Sequence, residues 1–263
     1  MARPAVIVVN SLVSRGGVGG RAAVFALERL GFPVWSVPTV LLPWHPGQGP
    51  GTRIVPPVDA LLADLAASPK LAEVGGMLAG YLGSAEQAPA IAGLARALKA
   101  RRPDALVLVD PVIGDARGPY VPAAAIAAFR ETLLPVADIA TPNRHELGVL
   151  TGRELADNAA LVVAARSLGV PEVVVTSAFG GPGEAANFLL PADSAEFVVH
   201  PLLPAAPNGT GDLLAALYLA RRLAGAAPPD ALRRAAAATL AVIEAAAGAD
   251  EMPLAAAQGA FAG

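Results

Sequence analysis

Val173-Val174-Val175-Thr176 is a run of β-branched residues with no inside–outside alternation, the pattern of a strand covered on both faces. Working outward toward the N-terminus, comparable runs occupy 6–9, 34–37, 74–79 and 105–109, and Ile139-Ala140 ends a shorter one. Between them lie helical patterns over 21–30, 85–100, 123–134, 144–150 and 158–168, and a loop rich in proline and glycine over 38–57. Such alternation predicts an α/β fold of three layers, α/β/α, around a mainly parallel central sheet. Toward the C-terminus the pattern changes. Segments 185–190 and 196–200, separated by Pro191-Ala192-Asp193-Ser194, predict an antiparallel hairpin appended to that sheet, followed by helices over 210–223 and 229–247. No internal repeat occurs and the proline and glycine runs fall between elements, so a single domain is expected over 1–263.

At 263 residues and 54% hydrophobic, the chain can build one substantial core without disulfides or a structural metal. It has no cysteine, which excludes disulfides, cysteine-ligated zinc, iron–sulfur clusters and a thiol nucleophile. A net charge of -3 with scattered arginines offers no long-range attraction to nucleic acid or anionic lipid. The apolar stretch 5–9 is too short for a signal peptide core or a membrane span, and Arg233, Arg234 and Glu244 interrupt the alanine-rich last helix. A cytoplasmic protein with neither nucleic-acid nor membrane partner is expected.

Ligands of open α/β sheets bind beyond the carboxyl ends of the strands. Polar or glycine-rich segments stand at several such ends: 10–20, Gly80-Tyr81-Leu82-Gly83-Ser84, 110–115 and Thr141-Pro142-Asn143. Asn208-Gly209-Thr210-Gly211-Asp212 opens an almost uninterrupted apolar helix. Its glycines permit close backbone approach, the first-turn N–H groups can hold an anion, and Asp212 can orient or deprotonate an attacking hydroxyl. The alternative is an ordinary helix cap made by Thr210 or Asp212. Asp110, Asp115 and Glu146 are hard oxygen ligands suited to Mg²⁺, usually through water and nucleotide phosphates. Taken singly, Asp110 is equally a turn cap and Glu146 a first-turn acid. No Walker-type loop occurs, the lysines being Lys70 and Lys99, and the glycines at 16, 17, 19 and 20 do not match Gly-x-Gly-x-x-Gly. A nicotinamide enzyme is therefore disfavoured.

Together, 11–31, Thr39-Val40 with His45, 80–87, 110–115, Tyr120-Val121, Thr141-Pro142-Asn143-x-x-Glu146 and 208–212 resemble the pyridoxal kinases of the ribokinase-like superfamily, over essentially the whole chain. The resemblance implies a ribokinase-like fold and transfer of the ATP γ-phosphoryl group to the 5'-hydroxymethyl oxygen of pyridoxal. It makes Asp212 the base and the backbone of Gly209, Thr210, Gly211 and Asp212 the anion hole. Asp110, Asp115 and Glu146 would organise Mg²⁺ and phosphates, directly or through water, with Thr141, Asn143 and Thr176 near the nucleotide. Ser11 would meet the pyridine ring, Val18, Val40 and Tyr81 would pack around it, and the 115–120 loop with Tyr120 would cover it. Tyr81 is alternatively a core tyrosine, and His45 would approach the ligand or cap its own loop. A homodimer and a monovalent cation such as K⁺ are implied as well.

The chain departs from that family at the acceptor end. Gly16-Gly17-Val18-Gly19-Gly20 stands where Gly-x-x-Gly-Asn is common, and Arg15 where an aromatic is frequent. Pro43-Trp44-His45-Pro46-Gly47 replaces Ser-Asn-His-Thr-Gly, and Pro46 brings neither a hydroxyl nor a backbone N–H. Two rival readings follow: a kinase of the same fold for hydroxymethylpyrimidine or a sugar, and a non-catalytic vitamin- or nucleotide-binding protein.

Overall fold

The computed structural model describes residues 3–191, 195–203 and 205–263. Its first strand, β1 (Ala5–Val13), is buried from Ala5 to Ser11 and pairs in parallel with β2 (Val34–Leu42) on one side and β3 (Val74–Ala79) on the other. Beyond β3 the parallel order continues through β4 (Leu106–Val109), β7 (Ile139–Ala140) and β8 (Glu172–Phe179). The hairpin strands β9 (Glu184–Leu190) and β10 (Glu196–Pro201) then add antiparallel, giving the order β10-β9-β8-β7-β4-β3-β1-β2. The expected hairpin turn at 191–194 lies, except for Pro191, outside the described residues.

Unalternating hydrophobicity has a direct cause here, because both sheet faces are covered. Ile7, Val9, Met77, Val107, Val109, Val173 and Val175 enter one core, with α2 (Asp59–Ala67), α3 (Ala88–Arg101), α5 (Arg144–Thr151) and α6 (Asn158–Ser167). Val6, Val8, Leu78, Leu108 and Val174 enter the other, with α1 (Gly20–Arg29), α7 (Thr210–Leu223), α8 (Pro228–Ala246) and the short α9 (Leu254–Ala257). These are the three layers and mainly parallel sheet expected from the sequence. Among the described residues no helix is long and apolar enough to cross a membrane.

Several boundaries differ from the sequence reading. β2 runs on through Pro38 to Leu42, within the expected loop, because β2 is an edge strand where a missing N–H is tolerated. The loop then folds back on it through a Leu41–Ile54 bridge. Helix α2 was not expected from the sequence, although its alanines and leucines are strong helix formers; it buries Leu62 alone. The helix expected over 123–134 is α-helical only as α4 (Ala123–Ala128). It widens at Phe129–Leu133 and tightens at Leu134–Val136, where Pro135 has no N–H to continue the ladder. Between β4 and α4, β5 (Gly114–Asp115) and β6 (Gly118–Pro119) form a small antiparallel flap.

The chain leaves β1 toward β2 in one direction and continues from β3 toward β8 in the other. The carboxyl ends of β1 and β3 therefore flank a topological switch point, where such sheets open a ligand crevice.

Candidate active site

Gly209, at the N-cap position just before helix α7, is left-handed (φ 92°), and no side chain caps the helix. The cap weighed for Thr210 or Asp212 is thus absent. A β-carbon on Gly209 would lie 2.6 Å from the Gly17 carbonyl oxygen and 2.9 Å from Val18 Cα, so the first loop closes directly on the head of the helix. Gly211 faces open space, and the N–H groups of Thr210 and Gly211 meet no backbone acceptor among the described residues. Free donors at the positive end of a 14-residue helix form an anion nest.

Asp212 sits beside that nest with each carboxylate oxygen held separately. Asn10 Nδ2 donates to Oδ1 at 3.0 Å and the Gly19 N–H donates to Oδ2 at 2.9 Å. Burial pushes the Asp212 pKa up, while the Gly19 and Asn10 donors pull it down. Asn10 was not among the residues singled out by sequence. It is the first polar residue after the apolar run of β1, and it stands at the switch point.

The second carboxylate group lies across the crevice. Asp110 directly follows β4, is buried, and accepts the Thr141 hydroxyl at 2.7 Å; burial and then the Asp212 charge push its pKa up to about 7. Glu146, also buried, accepts the N–H groups of Asn143 (2.8 Å), Ile113 (2.9 Å) and Gly114 (3.4 Å). Burial, followed by Asp110, nevertheless raises it to about 8. Asn143 caps α5 by accepting the N–H groups of His145 and Glu146, and donates to the Gly114 carbonyl. Thr176 joins this group through its N–H, which donates to the Pro142 carbonyl at 3.0 Å. It also lines a cavity of about 200 Å³ shared with Asn187, His200, Thr210, Gly211 and Thr239. Asp110, Thr141, Asn143, Glu146, Thr176 and the 209–212 nest therefore converge at one sheet edge.

Asp115 stands on the flap one residue beyond Gly114, whose N–H donates to Glu146, and in the free protein it is ion-paired to Arg117 at 2.6 Å. The cause is local: Arg117 follows two residues later, and its backbone N–H and guanidinium both reach Asp115. Among the described residues no three carboxylate or histidine side chains form a closed ligand set. Two buried, mutually repelling carboxylates suit a cation shared with phosphates and water, and in that sense the donor set fits Mg²⁺.

On the acceptor side Ser11 is buried with its hydroxyl against Gly19, and Val18 packs on Gly209. Tyr81 is half-buried, and its carbonyl accepts the Thr39 hydroxyl at 2.6 Å. Val40 has no accessible surface, so it packs in the interior and offers no face to a ligand. His45 Nδ1 accepts the Gly47 N–H at 3.1 Å and caps the turn Pro46–Gln48, the loop-capping alternative. Burial lowers its pKa, opposed by the charge of Asp212. Tyr120 lies 56% exposed just past the flap, its N–H donating to the Ile113 carbonyl at 3.0 Å.

Residues 14–255 match the phosphomethylpyrimidine kinase family model. The chain is 39% identical over 250 residues to the pyridoxine/pyridoxal/pyridoxamine kinase of Bordetella pertussis, covering 91% of this chain and 87% of that one. It is 36% identical to the pyridoxal kinase PdxY of Deinococcus radiodurans, covering 97% and 92%. The chain belongs to the pyridoxal kinase family. Its fold superposes on the pyridoxal kinase of Leishmania donovani in complex with ADP and pyridoxamine with a TM-score of 0.90, at 28% identity, covering 98% of this chain and 96% of that one.

Within the pyridoxal kinase family the departures of this chain now have positions. Arg15 pairs with Asp250 (3.2 Å) and Glu251 (2.5 Å), and Gln48 donates to the same Asp250 at 2.8 Å, so the segment before α9 ties the first loop to the second. A β-carbon on Gly20 would lie 2.9 Å from the Ser11 carbonyl oxygen, which places Gly20 against the β1 backbone. Pro46 is exposed and shapes the rim of the second loop.

Proposed function

We propose that this chain transfers the γ-phosphoryl group of ATP to the 5'-hydroxymethyl oxygen of pyridoxal, and of related B6 vitamers, giving pyridoxal 5'-phosphate. The observation that carries the reading is Asp212, a carboxylate fixed by two donors beside an open N–H nest. Asp212 takes the proton of the acceptor hydroxyl as its oxygen attacks the γ-phosphorus and ADP leaves. The N–H groups of Thr210 and Gly211 take up the charge that develops on the transferred group. Asp110 and Glu146, through water and the nucleotide phosphates, would hold Mg²⁺, which supplies charge neutralisation when bound. The cavity beside Thr176 and Thr239 would receive the nucleotide, and the Ser11–Tyr81 side the vitamin ring. Likeness to pyridoxal kinases supports three further parts of the proposal: K⁺ as an activating cation, a homodimer, and a cytoplasmic location.

Asp212→Asn should leave the fold intact and lower kcat by about 10²–10⁴, the usual scale for a positioned acid or base. Near wild-type turnover in that variant would overturn the assignment. The acceptor is decided by an ATP-consumption screen of pyridoxal, pyridoxine, pyridoxamine, hydroxymethylpyrimidine and ribose. Hydroxymethylpyrimidine is the rival that the phosphomethylpyrimidine kinase match favours. Equal or better turnover of it would change the acceptor and keep the mechanism. Pyridoxal binding without turnover would instead indicate a binding protein.

A further inference from the structure

Asn10 has no role in the reaction as described, yet its side chain is fixed more tightly than that of the base it touches. It is 2% exposed and stands in β1 just past the last residue paired with β3. Its Oδ1 accepts the N–H groups of Ser11 at 2.7 Å and Tyr81 at 3.0 Å. Turning the amide over would set Nδ2, a donor, against both N–H groups, so its orientation is determined and Nδ2 faces Asp212. The end of β3 is shaped to admit it: a β-carbon on Gly80 would lie 2.6 Å from Asn10 Cγ.

We propose that Asn10 is a positioning residue for Asp212 and ties the base to the two backbone segments that flank the acceptor, at Ser11 and Tyr81. This rests on the reading of Asp212 as the base. A carboxylate held at one oxygen can still turn about its Cβ–Cγ bond, whereas Asn10 on Oδ1 and Gly19 on Oδ2 fix its plane. The free lone pairs are then presented in one direction, toward the crevice where the acceptor hydroxyl must arrive. Because the same carboxamide accepts from Ser11 and Tyr81, a shift of either segment on acceptor binding reaches Asp212 through a single hydrogen bond.

Asn10→Asp is the sharpest probe. It keeps the oxygen that accepts from Ser11 and Tyr81 and replaces the donor with an oxygen facing Asp212. The expected result is a fall in kcat of about 10- to 100-fold, the scale of a lost hydrogen bond to a charged group, with KM for ATP within about twofold. Melting temperature gives an independent readout. Asn10→Asp should lower it by placing two carboxylates together. Adding Asp212→Asn should raise it again, because the amide introduced at position 212 can then donate to the carboxylate introduced at position 10. The paired variant stays inactive. Additive losses of melting temperature in the pair would overturn the contact. Wild-type kcat in Asn10→Asp, alongside an inactive Asp212→Asn, would overturn this inference and leave the base assignment standing. Full activity in Asp212→Asn would overturn the base assignment itself. Should Asn10→Asp not fold, Asn10→Ala replaces it: a fall in kcat at constant KM for ATP supports the role, and unchanged kcat refutes it.

Discussion

Raising the pH from about 6.5 to about 8 should destabilise the protein when nucleotide and metal are absent, and Glu146 contributes across the whole interval. In the unfolded chain Glu146 loses its proton near 4.5; folded, it holds it to about 8. Throughout that window the folded state binds the extra proton, so stability falls as pH rises. Each pH step of one costs about 1.4 kcal/mol, which makes the loss from about 6.5 to 8 roughly 2 kcal/mol. For a chain of this size that corresponds to about 4–8 °C in Tm. Asp110, raised to about 7, acts in the same direction over the first part of the interval. Asp212, also raised by burial, acts in the same direction; Asp115 and Glu86, whose pKa values are lowered, titrate below the window, and the lowered His45 and His145 oppose the fall only near its lower end, where the unfolded imidazoles release their protons. Thermal unfolding followed by circular dichroism in EDTA measures the slope. In Glu146→Gln the slope should be shallower, the remainder coming from Asp110 and Asp212. That variant also starts lower, by about 1–3 kcal/mol, because the new amide nitrogen meets the Asn143 N–H donor to donor. A Tm that rises with pH in the wild type, or an equal slope in Glu146→Gln, would refute the reasoning. Adding Mg²⁺ with ADP at about pH 8 should recover part of the loss, since a cation offsets the repulsion between Asp110 and Glu146.

The two glycines of the nest should behave in opposite ways. Gly211→Ala meets nothing within 4 Å in the free protein and replaces glycine in a helix, so Tm should rise while kcat/KM for ATP falls at least tenfold; unchanged kcat/KM would remove Gly211 from the phosphate path. Gly209→Ala forces a left-handed alanine against Gly17 and should lose about 2 kcal/mol or more of stability in urea titration, a loss below about 0.5 kcal/mol contradicting the loop–helix contact. Gly80→Ala pushes on Asn10, so it should lower kcat about as far as Asn10→Asp does; turnover within twofold of wild type would show that the carboxamide is not held there.

What the sequence made legible follows from how each feature is encoded. The sheet was readable because strands buried on both faces must be continuously apolar, as Val173–Val175 and the β1 run are, and Asp212 was readable because glycines and an acid together open a buried helix. Features that depend on a neighbour far away in the chain left only weak traces. Asp115 looks like Asp110 in sequence, yet in the free protein it sits on the flap paired with Arg117. Glu146 looks like a metal ligand, while much of its acceptor capacity goes to the N–H groups of Ile113, Gly114 and Asn143. A carboxylate so engaged can still repel Asp110 and attract a cation, but it also holds the flap to α5, so its removal should disturb both. Asn10 is the clearest case. Its partner Asp212 lies 202 residues away, and its meaning depends on strand order, which decides that the ends of β1 and β3 form the switch point. The usable signal was positional: the first polar side chain after a doubly buried strand has nowhere to point except into the crevice, and burial there requires partners for every donor and acceptor it carries.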